Sequence, residues 1–154
     1  MIWWHEAQFA LWNRSNLLDR TLGWYEKAEP IARQIAQRQG FDGVRWMKMT
    51  DPSGTEAPSK VGSFLIWQQP HLIYLAELLY RADPTKEVLE KYNRLVQETA
   101  EFMYSFATYD ELEGRYILKG AIPAQETLRA AETVNPPFEL SYWHFCHADR
   151  PTMA

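Results

Sequence analysis

The chain has 154 residues, enough for one domain with a sizeable core, and its 46% hydrophobic and 23% charged residues are an ordinary globular mix. Its formal net charge of −4 argues against nucleic acid or an anionic membrane as the main partner, since both call for a basic face. The lone Cys146 excludes an intramolecular disulfide, no apolar run reaches the roughly 18 residues that span a bilayer, and Met1–Glu6 lacks the basic-then-apolar layout of a secretion signal, so the compartment stays open.

Residues 3–12 read as a mostly apolar helix, followed by a short break at Asn13-Arg14. Ser15 is the expected N-cap of a second helix running to about residue 39. Leu18, Leu22, Tyr25, Ala28, Ala32 and Ile35 form its apolar stripe. Pro30 predicts a kink or break within it, and Gly40 its C-terminal stop. Residues 41–69 are irregular, with a turn at Asp51-Pro52-Ser53-Gly54. Pro70 opens a third helix to about Ala82, apolar nearly all round and so expected to be buried. Asp83-Pro84 then reads as N-cap and first turn of a fourth helix reaching about Ala107. Its stripe is Val88, Leu89, Tyr92, Leu95, Val96, Ala100, Met103 and Phe106. A second irregular stretch spans 108–134, with a short strand predicted at 115–118. Asn135-Pro136 starts a fifth helix, and the tail 149–154 is expected to be disordered.

The order carries information. Apolar helices start near residues 3, 70 and 137, about 67 residues apart, and amphipathic helices alternate with them. The link from apolar to amphipathic helix is short and the link back is long. That is an αα-hairpin repeat with apolar helices inside and amphipathic ones outside. Both long loops then emerge on one face, at the N-terminal ends of the inner helices, where function tends to collect. The expected fold is all-α over residues 1–148, an incomplete toroid-like array of about two and a half hairpins.

That face carries Arg45, Trp46 and Lys48, then Trp67, Gln68, Gln69 and His71, then Gln125 and Glu126 after Pro123, with His5 and Glu6 at the start of the first inner helix. Amides match sugar hydroxyls because each offers donors and an acceptor, and indole faces stack on sugar rings. A carboxylic acid among aromatic groups keeps its proton near neutral pH and can deliver it to a leaving oxygen. The 14% aromatic content serves two readings, a core of large side chains or a stacking cleft. His144 and His147 share a helix face, but Cys146 points elsewhere and no second ligand cluster exists, so no metal and no cofactor are expected.

The segments Trp3-Trp4-His5-Glu6, Gly43-Val44-Arg45-Trp46, Ile66-Trp67-Gln68-Gln69-Pro70-His71, Ile122-Pro123-Ala124-Gln125-Glu126 and Phe138-Glu139-Leu140-Ser141-Tyr142-Trp143 resemble the catalytic (α/α)6-toroid domain of the six-hairpin glycosidases. The nearest relatives by this resemblance are the disaccharide phosphorylases and related hydrolases of glycoside hydrolase family 65. The likeness covers nearly the whole chain but only part of that domain. It implies an inverting cleavage of a glycosidic bond, by water or by phosphate, with Glu126 as general acid. It further implies substrate contacts from Trp4, His5, Arg45, Trp46, Trp67, Gln68, Gln69 and Gln125, on an oligosaccharide or disaccharide. In the phosphorylases an Asp-Glu pair followed by an aromatic residue and His is common where this chain has Gln125-Glu126-Thr127. The segment for the base or phosphate would lie beyond Ala154.

Without the resemblance, Glu126 is equally a solvated loop carboxylate, Trp67-Gln68-Gln69 loop packing at a helix start, and His5 and Glu6 polar groups of a helix terminus. A non-catalytic carbohydrate-binding helical protein and a helical scaffold for protein partners therefore stand beside the enzyme. An incomplete toroid leaves apolar flanks uncovered, so self-association or pairing with the remainder is expected, the chain being a fragment of a longer product or a degenerate paralogue.

Overall fold

The computed structural model describes residues 2–123 and 129–148, the last two of these as backbone only. Gln125, Glu126 and the tail 149–154 therefore lie outside the described residues. Five helices dominate: α1 (Ile2–Leu11), α2 (Ser15–Arg38), α3 (His71–Ala82), α4 (Lys86–Phe106) and α5 (Pro137–Ala148). The expected strand at 115–118 exists as β2 (Arg115–Ile117), and it pairs antiparallel with β1 (Thr108–Asp110) in a small hairpin. The described residues are thus mostly helical, with a two-stranded addition.

The amphipathic stripes bury as their spacing predicts. Leu18, Leu22, Tyr25, Ala28, Ala32 and Ile35 of α2 are all buried, as are Tyr92, Leu95, Phe102 and Met103 of α4. Helix α3 packs against α1, α2 and α4 and carries Leu72, Ile73, Leu75, Ala76 and Leu79 inward. A second apolar cluster joins Ile66, Ile73, Phe102, Met103 and Phe106 to Trp143 and Cys146 of α5. Gly40 closes α2 at φ 81, with its N–H on the Gln37 carbonyl at 3.0 Å and the Phe41 N–H on the Ala36 carbonyl at 3.0 Å. Those two bonds make a Schellman motif, and Phe41 packs back on the cluster that holds Ala36.

Three local expectations need correction. Ser15 is the first helical residue of α2 rather than its cap; Arg14 holds the cap position, and no side chain caps there. Of the kink or break expected at Pro30, the break is absent: α2 is continuous through it. Its ring and Glu26, whose carbonyl loses its i+4 donor, both lie on the exposed side, where water can take up the carbonyl. The cap of α4 is Thr85, whose hydroxyl accepts from the Val88 N–H at 3.4 Å, while Asp83 ends α3. Thr85 has the extended backbone (φ −102, ψ 155) that an N-cap requires.

Both long loops meet at the N-terminal end of α3. The first runs between α2 and α4: the Val44 N–H donates to the Glu98 carbonyl and the Arg45 N–H to the Ala32 carbonyl, each at 3.1 Å. Gly43 makes that passage possible. A Cβ there would stand 2.1 Å from the Glu98 carbonyl oxygen, and φ is 68. Gln69 then stitches the segment from the other side. Its Oε1 accepts from the Trp46 N–H at 2.9 Å and its Nε2 donates to the Val44 carbonyl at 2.7 Å. The second loop joins the first where the Ile122 N–H donates to the Phe64 carbonyl at 2.9 Å. The Trp143 indole N–H of α5 donates to the Ile66 carbonyl at 3.0 Å.

Among the described residues no helix is long and apolar enough to cross a membrane. The side chains of Trp4 and Leu11 on α1 and of Trp12 just after it are exposed, as are Phe138 and Phe145 on α5.

The Gln69 amide is almost fully buried and satisfies two backbone groups that have no other described partner. Gln69→Leu keeps much of the volume but orphans both. The expected loss is about 2–4 kcal/mol of unfolding free energy, read by urea denaturation at unchanged m-value.

Candidate functional site

An open cleft of about 410 Å³ lies between the start of α1, the middle of α2, the first loop and the start of α3. That volume suits a small molecule of one or two rings. Its walls are Trp24, Tyr25, Trp46 and Trp67, with Glu6, Thr21, Lys48, Asp51, Gln68 and His71 supplying the polar lining.

Local structure sets each wall. Tyr25 meets Trp46 edge-on at 4.9 Å between centroids, and Trp24 meets Tyr25 edge-on at 5.1 Å. The Trp46 indole N–H donates to the Thr99 hydroxyl at 2.9 Å, which fixes the ring from α4. The Trp24 indole N–H donates to the Pro52 carbonyl at 3.0 Å and holds the 51–54 turn against α2. Gly54 seals that contact: at φ 93, a Cβ would come within 2.8 Å of the Ala28 Cβ. Asp51 organises the turn, its Oδ1 accepting from the Ser53 N–H, the Ser53 hydroxyl and the Thr55 N–H at 2.6–3.0 Å. The Ser53 hydroxyl and these N–H groups hold the Asp51 carboxyl below the usual carboxylate range, so an anion stands at the cleft rim.

The inner lining is different in kind. Glu6 Oε2, Trp67 Nε1, Gln68 Oε1 and His71 Nε2 are buried atoms without a hydrogen-bond partner. All four belong to residues of this one cleft. Buried polar atoms are nearly always paired, so these four are candidates to meet polar groups from elsewhere. Burial raises the Glu6 carboxyl above its ordinary range, against the lowering effect of its hydrogen bond with Thr21. Burial also pushes His71 down to about 4, which leaves the ring neutral at pH 7. The interior therefore offers donors and acceptors while holding its acid toward the protonated form and its imidazole uncharged.

Of the residues that the sequence puts on this face, the structure brings together Glu6, Trp46, Lys48, Trp67, Gln68 and His71. It adds Trp24 and Tyr25. The others stand apart. Trp4 is 76% exposed and meets Trp3 edge-on. It precedes Glu6 by two residues, roughly 200° round the helix, and so faces away from the cleft. His5 is exposed beside it and does not line the cleft. Arg45 is only 2% exposed. Its guanidinium lies 5.2 Å from the centre of the Phe102 ring and donates to the Ser63 carbonyl at 2.7 Å. Burial draws it down to about 10, and it serves the loop rather than the cleft. Gln69 is spent on the backbone of Val44 and Trp46. Gln125 and Glu126 lie outside the described residues.

Glu6 and His71 are legible in the sequence as polar positions near the starts of mostly apolar helices. The pairing of Trp24 and Tyr25 with Trp46 depends on a contact across the fold and leaves no local mark. Among the described residues no group of three His, Cys, Asp or Glu side chains could hold a metal ion.

The shifted groups give opposite pH signatures. The unfolded His71 ring takes up a proton below its ordinary 6.5, whereas the folded ring resists until about 4. Stability from this residue is present above pH 6.5 and falls as pH drops toward 4, by roughly 3 kcal/mol. His71→Gln should remove that part of the acid limb in denaturation curves measured from pH 7 to 4. The raised Glu6 carboxyl works the other way: the unfolded state ionises first, so its contribution weakens as pH climbs above 4.5. Glu6→Gln should therefore raise the melting temperature at pH 7. Unchanged or lower melting would show that the carboxyl is not under this strain.

Compared with known proteins, the chain matches no family model and no curated sequence.

Proposed function

We propose that this cleft binds a neutral sugar, and that the chain is part of an (α/α)6-toroid protein that cleaves a glycosidic bond. One observation carries the reading. Aromatic residues line one open cleft together with residues that carry buried, unpartnered polar atoms. A sugar ring presents that combination, apolar C–H faces with hydroxyls at the edge. Three of the seven Trp side chains line the cleft, Trp46 being at the same time part of the core. The meeting of both long loops at one end supports the alternating hairpin plan of the toroid.

In this proposal Glu126 is the general acid, as the resemblance to the six-hairpin glycosidases implies. It gives its proton to the glycosidic oxygen as the bond from that oxygen to the anomeric carbon breaks. Water or phosphate attacks the opposite face of the ring, activated or held by a partner roughly 6.5–9.5 Å away. Gln125 is a further substrate contact. The second loop is tied to the segment leading into Trp67 through Ile122 and Phe64, which supports placing it by the cleft. Glu6 then serves as a hydrogen-bonding carboxyl for a sugar hydroxyl. A non-catalytic carbohydrate-binding protein is the second reading. The described cleft favours it to this extent: its binding features are complete without Glu126.

The exposed apolar residues Trp4 and Leu11 of α1, with Trp12 just after it, support a neighbouring helical pair or a second copy packing there. A monodisperse monomer in light scattering would remove that part of the proposal.

The test is binding and turnover of a disaccharide panel, with and without phosphate, for wild type, Glu126→Gln and Glu6→Gln. Glu126→Gln is expected to bind and to lose at least a hundredfold in turnover. Glu6→Gln is expected to weaken binding about tenfold. Equal binding without turnover in wild type and Glu126→Gln means an incomplete catalytic set in this chain and removes turnover by these 154 residues from the proposal. Absence of sugar binding in the wild type overturns both.

A further inference from the structure

A chain of three side chains stands behind the cleft. Tyr142 of α5 places its hydroxyl 2.9 Å from Nδ1 of His71, at the start of α3. The Trp3 indole of α1, which can only donate, interacts with the same hydroxyl. That leaves the Tyr142 proton to be placed. Among the described residues the hydrogen-bond partner able to accept it is His71 Nδ1, if that nitrogen is bare. A neutral imidazole that accepts at Nδ1 carries its own proton at Nε2. Nε2 is the buried His71 atom with no partner, on a residue that lines the cleft.

We propose that Tyr142 is a positioning residue: it holds His71 as the Nε2–H tautomer, so that His71 offers the cleft a neutral N–H donor and recognises an uncharged oxygen, a sugar hydroxyl or ring oxygen, at that place. The ligand half rests on the sugar reading above; the tautomer half does not. Burial favours the neutral ring, in keeping with its value near 4, and pushes the Tyr142 phenol upward, so its proton stays on oxygen. Trp67 packs edge-on against His71 at 5.4 Å and restrains ring rotation. The arrangement complements its neighbours. Gln68 Oε1 accepts, whereas Trp67 Nε1 and His71 Nε2 donate. A hydroxylated ligand can satisfy both kinds of group at once, which a carboxylate or phosphate, lacking protons to give, does less well. The device also gives α5 a role in a cleft it does not line.

The test is nitrogen-15 NMR of the chain labelled at its four histidines, with His71→Gln identifying the His71 signals. Wild type is expected to show Nε2 protonated and Nδ1 bare. Tyr142→Phe keeps the ring and removes the hydroxyl, and should move His71 toward a mixture of tautomers. Trp3→Phe, which frees Tyr142 to accept, should do so more weakly, and serves if Tyr142→Phe loses its helical circular dichroism. A wild-type Nδ1–H tautomer, or a tautomer untouched by both variants, overturns the proposal. Titration with neutral disaccharides reads the ligand half: Tyr142→Phe should bind about tenfold more weakly. Unchanged affinity despite a changed tautomer overturns that half. If wild type binds no disaccharide, the sugar reading fails along with it, and the NMR result still decides the tautomer.

Discussion

Two adjacent amides, Gln68 and Gln69, govern the geometry of this end of the molecule. A long irregular segment packed between helices must still pair its backbone groups, because a buried unpaired group costs roughly 1–3 kcal/mol. Here side chains do that work. Gln69 binds the Trp46 N–H and the Val44 carbonyl; Gln68 Nε2 donates to the Trp46 and Leu65 carbonyls at 3.0 Å each. The segment 43–47 thereby behaves like a strand pinned across α2 and α4, and Trp46 is fixed on its own backbone. Trp67 is fixed too, because the amides that pin Trp46 are the next two residues in the chain. The cleft is preformed because one set of hydrogen bonds places opposing walls.

A preformed polar cleft carries a thermodynamic cost that the packing around it must offset. The outer face of the hairpins helps only modestly. Arg33 bridges Glu29 and Glu98, and Arg94 joins Glu29, yet both Arg side chains are a third or more exposed and water screens the attraction. The larger offset is apolar burial along α2, α3 and α4. Against it stand a desolvated carboxyl at Glu6 and an imidazole that cannot take its proton until about pH 4. Such strained groups tend to collect where a protein acts, because the environment that destabilises the charge is the one that tunes the chemistry. The same environment makes the cleft most hospitable to an uncharged ligand.

How much of this could be read from the residues depends on the length scale of the cause. Helices and their inward faces follow from 3.6-residue spacing, a local property, so α2 and α4 stand where the stripes put them. Pro30 marks a limit of that reasoning: the rule concerns a lost hydrogen bond, but the cost depends on whether the orphaned carbonyl meets solvent, which is a tertiary fact. Asp83 and Thr85 are both good caps, and only the backbone turn chooses between them. For the site, Trp46, Trp67 and Gln68 were legible because large aromatics and amides in loops have few other uses. Arg45 and Gln69 looked the same by type. Their burial against Phe102 and on the Val44 carbonyl arises from residues 25 to 57 positions away in the sequence, and no local pattern encodes it.

The contrast between rim and interior bears on what the cleft can discriminate. Lys48 and Asp51 put opposite charges at the described lining, and Asp51 is held anionic by its own turn. Charges so placed steer a ligand weakly, because solvent screens them. Deeper in, the groups are neutral at pH 7 or pushed toward neutrality, and each is shaped by a hydrogen bond or by burial rather than by an ion pair. A charged ligand entering that interior would lose its hydration without gaining a counter-charge there. A neutral hydroxylated ligand loses only hydrogen bonds with water, and Gln68, Trp67 and His71 can replace them. Discrimination would then come from the pattern of donors and acceptors rather than from charge. A fixed tautomer matters most in such a site, because exchanging the donor for an acceptor at one position turns a match into a repulsion between two lone pairs.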